Sequence, residues 1–239
     1  MMQVLSESPS VTTRLGLMTG VLLATMAAMI AIPTVADAFR EQQQLVDKAK
    51  MTIETFAADR SAGAAVRELK HEAKALFIVP QFLRGAFVFG GAGGSGVLIV
   101  RDENTNTWSE PAFYTIGSAS FGLQIGGDVS EMVFVVRNQR GLEEFYRSDF
   151  KLGADVSIAL GPAGEGASVK GITADMVTYA KKKGVFGGFS ADGSIIAVSD
   201  DANATYYGRL VRPTDIIVKH SVSNPKSAEL KNAVDKLMK

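Results

Sequence analysis

Gly90-Gly91-Ala92-Gly93-Gly94-Ser95-Gly96-Val97-Leu98-Ile99-Val100 decides how the rest of the chain is read. Gly91 to Gly96 satisfies GxGxxG to the letter. In a dinucleotide fold that loop must follow a strand and open a helix, so that helix amides meet a pyrophosphate. Here it runs into Val97-Leu98-Ile99-Val100, which is strand-like. A Walker loop fails too, because Val97 stands where lysine is required. The glycines are therefore read as shaping a sheet, where they tolerate bulges and close backbone approach.

Outward from this stretch the texture persists. All but three of the 24 glycines lie between Gly85 and Gly208. They interleave with short β-branched and aromatic runs at Ala86–Phe89, Val97–Val100, Val133–Val136, Val156–Leu160 and Ile195–Val198, each predicted as a strand. Asp102 to Thr107 and Ala191-Asp192-Gly193 are predicted hairpin turns. Leu45, Ala49, Ile53 and Phe56, then Val66, Leu69, Ala73 and Leu76, fall at helical spacing, with Asp59, Ser61 and Gly63 marking a break between two amphipathic helices. Helical inserts are predicted at about Leu142–Arg147 and Thr173–Lys183, the second stopping at Gly184. A last helix is predicted at about Ser227–Met238. The expected class is α+β: a glycine-rich, mostly antiparallel bent sheet or partial barrel, with N-terminal and C-terminal helices packed on it.

The 239 residues suffice for one well-buried domain, and no linker divides them. Lys+Arg and Asp+Glu both number 25, so the overall field offers nucleic acid no general attraction. The lack of cysteine excludes thiol catalysis, thiolate metal sites and disulfides. Leu15 to Ile32 is apolar apart from small and hydroxyl residues, ends at Pro33, and is followed by the small-x-small signal Ala36-Asp37-Ala38. The expectation is a signal peptide over residues 1–38, cleaved after Ala38, with a single domain over 39–239; an uncleaved membrane anchor and a buried helix are the other readings of the same run.

Catalytic signals are weak. No GxSxG elbow occurs, and His71 and His220 stand apart from any metal-ligand spacing, so the chain is read as non-enzymatic, with neither metal nor cofactor. The strongest local charge is Lys181-Lys182-Lys183, running into Gly184-Val185-Phe186-Gly187-Gly188-Phe189. Three ammonium groups beside aromatic rings could hold lipid phosphates. The plainer reading has lysines completing a helix C-terminus capped by Gly184. Arg209 to Lys239 carries seven basic and three acidic residues, which could extend a positive face or simply solvate a helix. Trp108 is either an interfacial anchor or, as is commoner for a lone tryptophan beside a hairpin, packed across the sheet.

An ordered set of motifs resembles the SYLF lipid-binding domain family. They are Ala73-Lys74-Ala75-Leu76-Phe77-Ile78-Val79-Pro80, the glycines from Gly90 to Gly96, Trp108-Ser109-x-Pro111 and Ser120-Phe121-Gly122-Leu123-Gln124-Ile125-Gly126. Gly161-Pro162-x-Gly164, Tyr179-x-x-x-Lys183-Gly184-Val185-Phe186-x-Gly188 and Asn203 with Tyr206-Tyr207-Gly208 complete it. The resemblance implies a compact β-rich domain, phospholipid binding, actin-filament binding in some eukaryotic members, and export to the envelope in bacterial ones. The helix from Phe39 departs from the basic N-terminal helix of eukaryotic members. The resulting expectation is a periplasmic, membrane-associated protein that contacts anionic phospholipid through Lys181, Lys182 and Lys183, aided by Phe186, Phe189, Arg212 and Lys219, and that binds no nucleic acid. The alternative is a structural or protein-interaction module with an envelope protein partner.

Overall fold

The centre of each long strand is an unbroken apolar run, which a sheet tolerates only when both its faces are covered. That is what the computed structural model contains. It describes residues 35–86, 89–121, 126–162, 169, 171–187 and 190–239. Most of the expected signal peptide, together with Phe189 and the Gly122–Ile125 part of the family motif, lies outside the described residues.

Two helices, α1 (Val35–Ala58) and α2 (Arg60–Glu68), precede the sheet. Strands β1 (Ala75–Ala86), β2 (Phe89–Asp102), β3 (Thr107–Trp108), β4 (Ala112–Phe121) and β5 (Gly126–Val136) follow. Then come α3 (Gln139–Glu144), β6 (Asp149–Lys151), β7 (Ile158–Leu160), β8 (Met176–Lys182), β9 (Val185–Gly187) and β10 (Ile195–Val198). Helices α4 (Asp200–Tyr207), α5 (Pro213–Ile217) and α6 (Ala228–Leu237) end the chain. The strand order is β6-β10-β4-β2-β1-β5-β8-β7, with β3 beside β2 and β9 beside β8. Every pairing between these strands is antiparallel except β7 with β8. The result is the expected α+β class, a curled, mainly antiparallel half-barrel with helices from both ends of the chain.

One face of the sheet, carrying Leu76, Ile78, Val97, Ile99, Val133 and Val135, packs on the apolar stripe of α1 (Val46, Ala49, Ile53, Phe56) and on α2, α4 and α6. The other face gathers Phe77, Tyr114, Phe134, Phe145 and Phe150, with ring centroids 4.9 to 6.0 Å apart. A fully buried ring of this kind contributes up to about 3 kcal/mol by area. Trp108, 8% exposed, lies in the helix-side core as the packing reading expects.

The curl has a local cause. Between Ile78 and Leu83, β1 shifts register against β2, and between Val79 and Phe82 it shifts against β5. Pro80 and Gln81 occupy this bulge, which is how a central strand accommodates a residue lacking an N–H. Gly94 faces it: a Cβ there would stand 2.3 Å from the Gln81 carbonyl oxygen.

Several expectations are corrected. Thr173–Lys183 is not a helix; its core is β8, where Met176–Ala180 are buried on both faces and so show no alternation. Gly184 (φ 80°) with Lys183 (φ 50°) forms the β8–β9 hairpin turn rather than a helix cap. The second N-terminal helix ends at Glu68, and Leu76 belongs to β1, buried between β2 and β5. Ala86 and Phe89 are the ends of two strands, not one strand. Val156 makes only an isolated bridge to Leu152, so its strand begins at Ile158. The Ala191–Gly193 turn joins β9 to β10, which do not pair, and so is no hairpin. The insert at Leu142 starts earlier, at Gln139, because the Asn138 side chain caps it by accepting from the Gly141 N–H at 2.9 Å.

Candidate interaction surface

The β5–β8 register sets the environment of the lysines. Glu131 stands opposite Lys181, and their charged atoms are 3.7 Å apart. Lys182 reaches Asp128 at 2.6 Å. Both cations thus face carboxylates on the adjacent strand, which cancels much of the positive field the sequence suggested. Lys183, at the turn, has no ion-pair partner among the described residues and is exposed beside Val185, which is 72% exposed. Phe186 is no free ring. It packs edge-on against the buried Phe56 at 4.9 Å, with the Lys181 ammonium 5.6 Å above it.

Arg212 and Lys219 meet each other around Asp215. Asp215 accepts from the Arg212 N–H at 3.0 Å and from Lys219 Nζ at 2.8 Å. The Lys219 hydrogen bond, followed by that from the Arg212 backbone, holds the Asp215 carboxyl below the usual range. Their helix, α5, packs on β4, four strand positions from β8, about 19 Å along the sheet. The seven predicted site residues therefore do not converge on one patch.

A different set of residues does converge. The start of α1, the end of α4 and the turn at Asn224-Pro225-Lys226 bound an open cleft of about 920 Å³ lined by Phe39, Arg40, Gln43, Tyr206, Tyr207 and Lys226 among others. Each wall is fixed from beneath. Asn203 of α4, fully buried, accepts from the Phe113 N–H at 2.9 Å and donates to the Phe113 carbonyl at 3.2 Å, so its amide completes the ladder position beside β4. The Tyr207 hydroxyl donates to the Pro111 carbonyl at 2.6 Å. Glu110 holds the third wall, accepting from the Asn224 N–H at 3.2 Å, the Ser227 hydroxyl at 2.7 Å and Lys231 Nζ at 2.5 Å.

On these supports Phe39 stacks against Tyr206, with centroids 6.0 Å apart and planes 13° from parallel, and the Lys226 ammonium lies 4.7 Å from the Phe39 ring centre. Tyr206 is 2% exposed and its hydroxyl has no hydrogen-bond partner, nor has Gln43 Oε1. Burial, and then the carboxylates of Glu110 and Asp47, push the Tyr206 phenol far above its ordinary range, so it stays protonated and able to donate.

The model of the family described as "Ysc84: Las17-binding protein actin regulator" matches residues 117–237, half of the chain. The chain belongs to this family. It is the SYLF family that the motifs resembled. The Ysc84 match takes in β8, α4 and α6, hence two walls of the cleft and the lysine hairpin. An SH3 domain-containing protein of Schizosaccharomyces pombe is 37% identical over 137 residues, which are 54% of this chain and 31% of that protein. "LAS seventeen-binding protein 3" of Saccharomyces cerevisiae is 35% identical over 144 residues, 57% of this chain and 30% of that protein. "SH3 domain-containing YSC84-like protein 1" of Homo sapiens is 29% identical over 168 residues, 69% of this chain and 48% of that protein. The chain thus spans between about a third and a half of these eukaryotic relatives.

The Ysc84 description is that of a binding regulator. Among the described residues no three His, Asp or Glu side chains are placed to hold a metal, and no helix is long and apolar enough to cross a membrane. Sequence reasoning missed the cleft. Tyr206-Tyr207 entered only as part of a resemblance, and Phe39 and Lys226 carry no linear signal that ties them to it.

Proposed function

We propose that the chain is a non-catalytic protein-interaction module. The observation that carries this reading is the family match, whose description names a Las17-binding actin regulator. The pairing of Lys181 with Glu131 and of Lys182 with Asp128 supports it, because it weakens the electropositive surface that headgroup binding would need. Filamentous actin is the first partner to test, by co-sedimentation of the purified chain, with flotation on phosphatidylglycerol vesicles in parallel. Saturable co-sedimentation, unchanged in a Lys181→Glu, Lys182→Glu, Lys183→Glu variant, is expected. Binding confined to anionic vesicles and abolished in that variant would sink the reading.

One observation favours phospholipid as a second ligand. Lys183 sits at φ 50°, a position where glycine or asparagine is the easier choice, with the exposed Val185 beside it. A charged and an apolar group at one hairpin tip suit a membrane surface. Lys183→Asn would lower vesicle binding while relaxing the turn. An exported, envelope-associated location is part of the same proposal, and N-terminal sequencing of the protein from its native envelope would test it, with Phe39 as the expected first residue.

A further inference from the structure

We propose that the cleft between α1, α4 and the Asn224–Lys226 turn is a docking groove for an extended, proline-containing segment of a partner protein, about six residues long, with an acidic residue at its Arg40–Lys226 end. This inference rests on the protein-interaction reading and names the chemistry of the partner.

Hydrogen bonding is the first support. Tyr206 Oη and Gln43 Oε1 are buried without partners, and an orphaned polar group costs about 1–3 kcal/mol. One can donate and the other can only accept. An extended backbone presents carbonyl oxygens and N–H groups in close succession, and a polyproline II segment leaves them unpaired. Gln43 covers the Tyr206 hydroxyl and is the part that moves. Its amide is held by Asp47 at 2.8 Å and, across the cleft, by the Lys226 carbonyl at a long 3.4 Å.

Shape and charge agree. Phe39, Tyr206, Tyr207 and Pro225 give the groove flat apolar walls, the surface on which proline rings dock. The groove continues along α1 into a second cavity of about 440 Å³, bounded by Gln43, Met51, Pro225 and Lys226. From Phe39 to Met51 the helix advances about 18 Å, which a polyproline II segment spans in about six residues. At the Phe39 end the cations are Arg40 and Lys226, while the far end carries the Lys50–Glu229 pair and is balanced. An acid on the segment therefore belongs at the Phe39 end.

The test uses the full chain and fluorescein-labelled hexapeptides read by anisotropy: Glu-Pro-Pro-Leu-Pro-Pro, its reverse, and Glu-Ala-Ala-Leu-Ala-Ala. Saturable binding of at least one proline peptide, and not of the alanine one, is expected. Lys226→Glu, an exposed change, should weaken it about ten-fold and Tyr206→Phe about five-fold. Tyr206→Phe should leave the thermal midpoint unchanged or raised, because it removes an orphan. The proposal falls if neither proline peptide binds at about 1 mM, the affinity floor of such contacts, or if binding is indifferent to both variants. It falls too if Tyr206→Phe lowers the midpoint, which would mean that a bound water already satisfies the hydroxyl. Vesicles of phosphatidylglycerol bound in place of the peptides, and released by Lys226→Glu, would make the cleft a headgroup site and overturn it. Actin co-sedimentation that survives while the peptides fail would remove this inference and leave the interaction reading standing.

Discussion

The glycines of Gly91-Ala92-Gly93-Gly94-Ser95-Gly96 should divide sharply when each is changed to alanine. At Gly94 the new methyl would lie 2.3 Å from the Gln81 carbonyl oxygen and 3.1 Å from Val79 Cγ1. At Gly96 it would meet the Ile78 carbonyl oxygen and the Phe77 ring, each at 2.7 Å. The first contact is with backbone at the β1 bulge and the second with a ring locked in the aromatic core, so neither neighbour can swing away. An ordinary carbon–oxygen contact needs nearly 1 Å more than Gly94 allows, and forcing such a shift in a packed interior costs about 1–3 kcal/mol. For a domain of this size, about 2 kcal/mol lowers the midpoint by about 4–8 °C. At Gly91 the nearest atom is 3.9 Å away, so alanine fits and, by restricting the unfolded chain, costs nothing or stabilises by about 0.5 kcal/mol. Thermal unfolding followed by far-ultraviolet circular dichroism, with urea titration for the free energies, reads the series. The reasoning is refuted if Gly91→Ala costs as much as Gly94→Ala, or if Gly94→Ala is silent. A phosphate loop would behave differently, because its first glycine would matter and the losses would be in binding.

Three further outcomes follow from buried polar groups. Asn203→Ala leaves the Phe113 N–H and carbonyl without their side-chain partner and should cost about 2 kcal/mol, measured by urea unfolding. Glu110→Ala frees the Asn224, Ser227 and Lys231 contacts at once, so amide exchange in α6 should accelerate well before that of β1 or β5. At Asp175, burial pushes the carboxyl up, but hydrogen bonds from Ser157 and Asn138 outweigh it and hold the group below its ordinary range. Its stabilisation is therefore present above about pH 4, the unfolded value, and is lost as pH falls through the lower folded one. Asp175→Asn should flatten the acid limb of a stability–pH curve, and an unchanged limb would refute the assignment.

What was legible in the sequence is what local periodicity or chain breaks encode. The break at Asp59, the Asp102–Thr107 turn, β10 and the apolar stripe of α6 all follow from neighbours within a dozen residues. β8 was misread because a strand buried on both faces loses the alternation that marks strands, while a glycine after three lysines imitates a helix cap. Helix α4 carried signals in Asp200, Asp201 and Gly208, but its eight residues hold too little apolar stripe to stand out. The pairing of Lys181 with Glu131 and of Lys182 with Asp128 spans some fifty residues and becomes visible only once the β5–β8 register is known. The cleft is harder still, since its rings and cations come from three separate segments.

The difference between the two candidate surfaces lies in what holds them. Phe39, Arg40 and Gln43 belong to the helix whose later turns bury Val46, Ala49, Ile53 and Phe56, so this wall cannot shift without exposing core. The opposite wall is fastened by Asn203, Tyr207 and Glu110 to the backbone around β4. Binding in the cleft then orders little beyond Gln43, a side-chain entropy of about 1–2 kcal/mol, so most contact energy would appear as affinity. The Lys183 tip has no such support: it projects on a two-residue turn whose cation is exposed, and any contact it makes must order the turn as well. A rigid, aromatic and incompletely hydrogen-bonded cleft suits recognition of one extended segment, whereas a lone charged tip suits a surface that presents many equivalent partners.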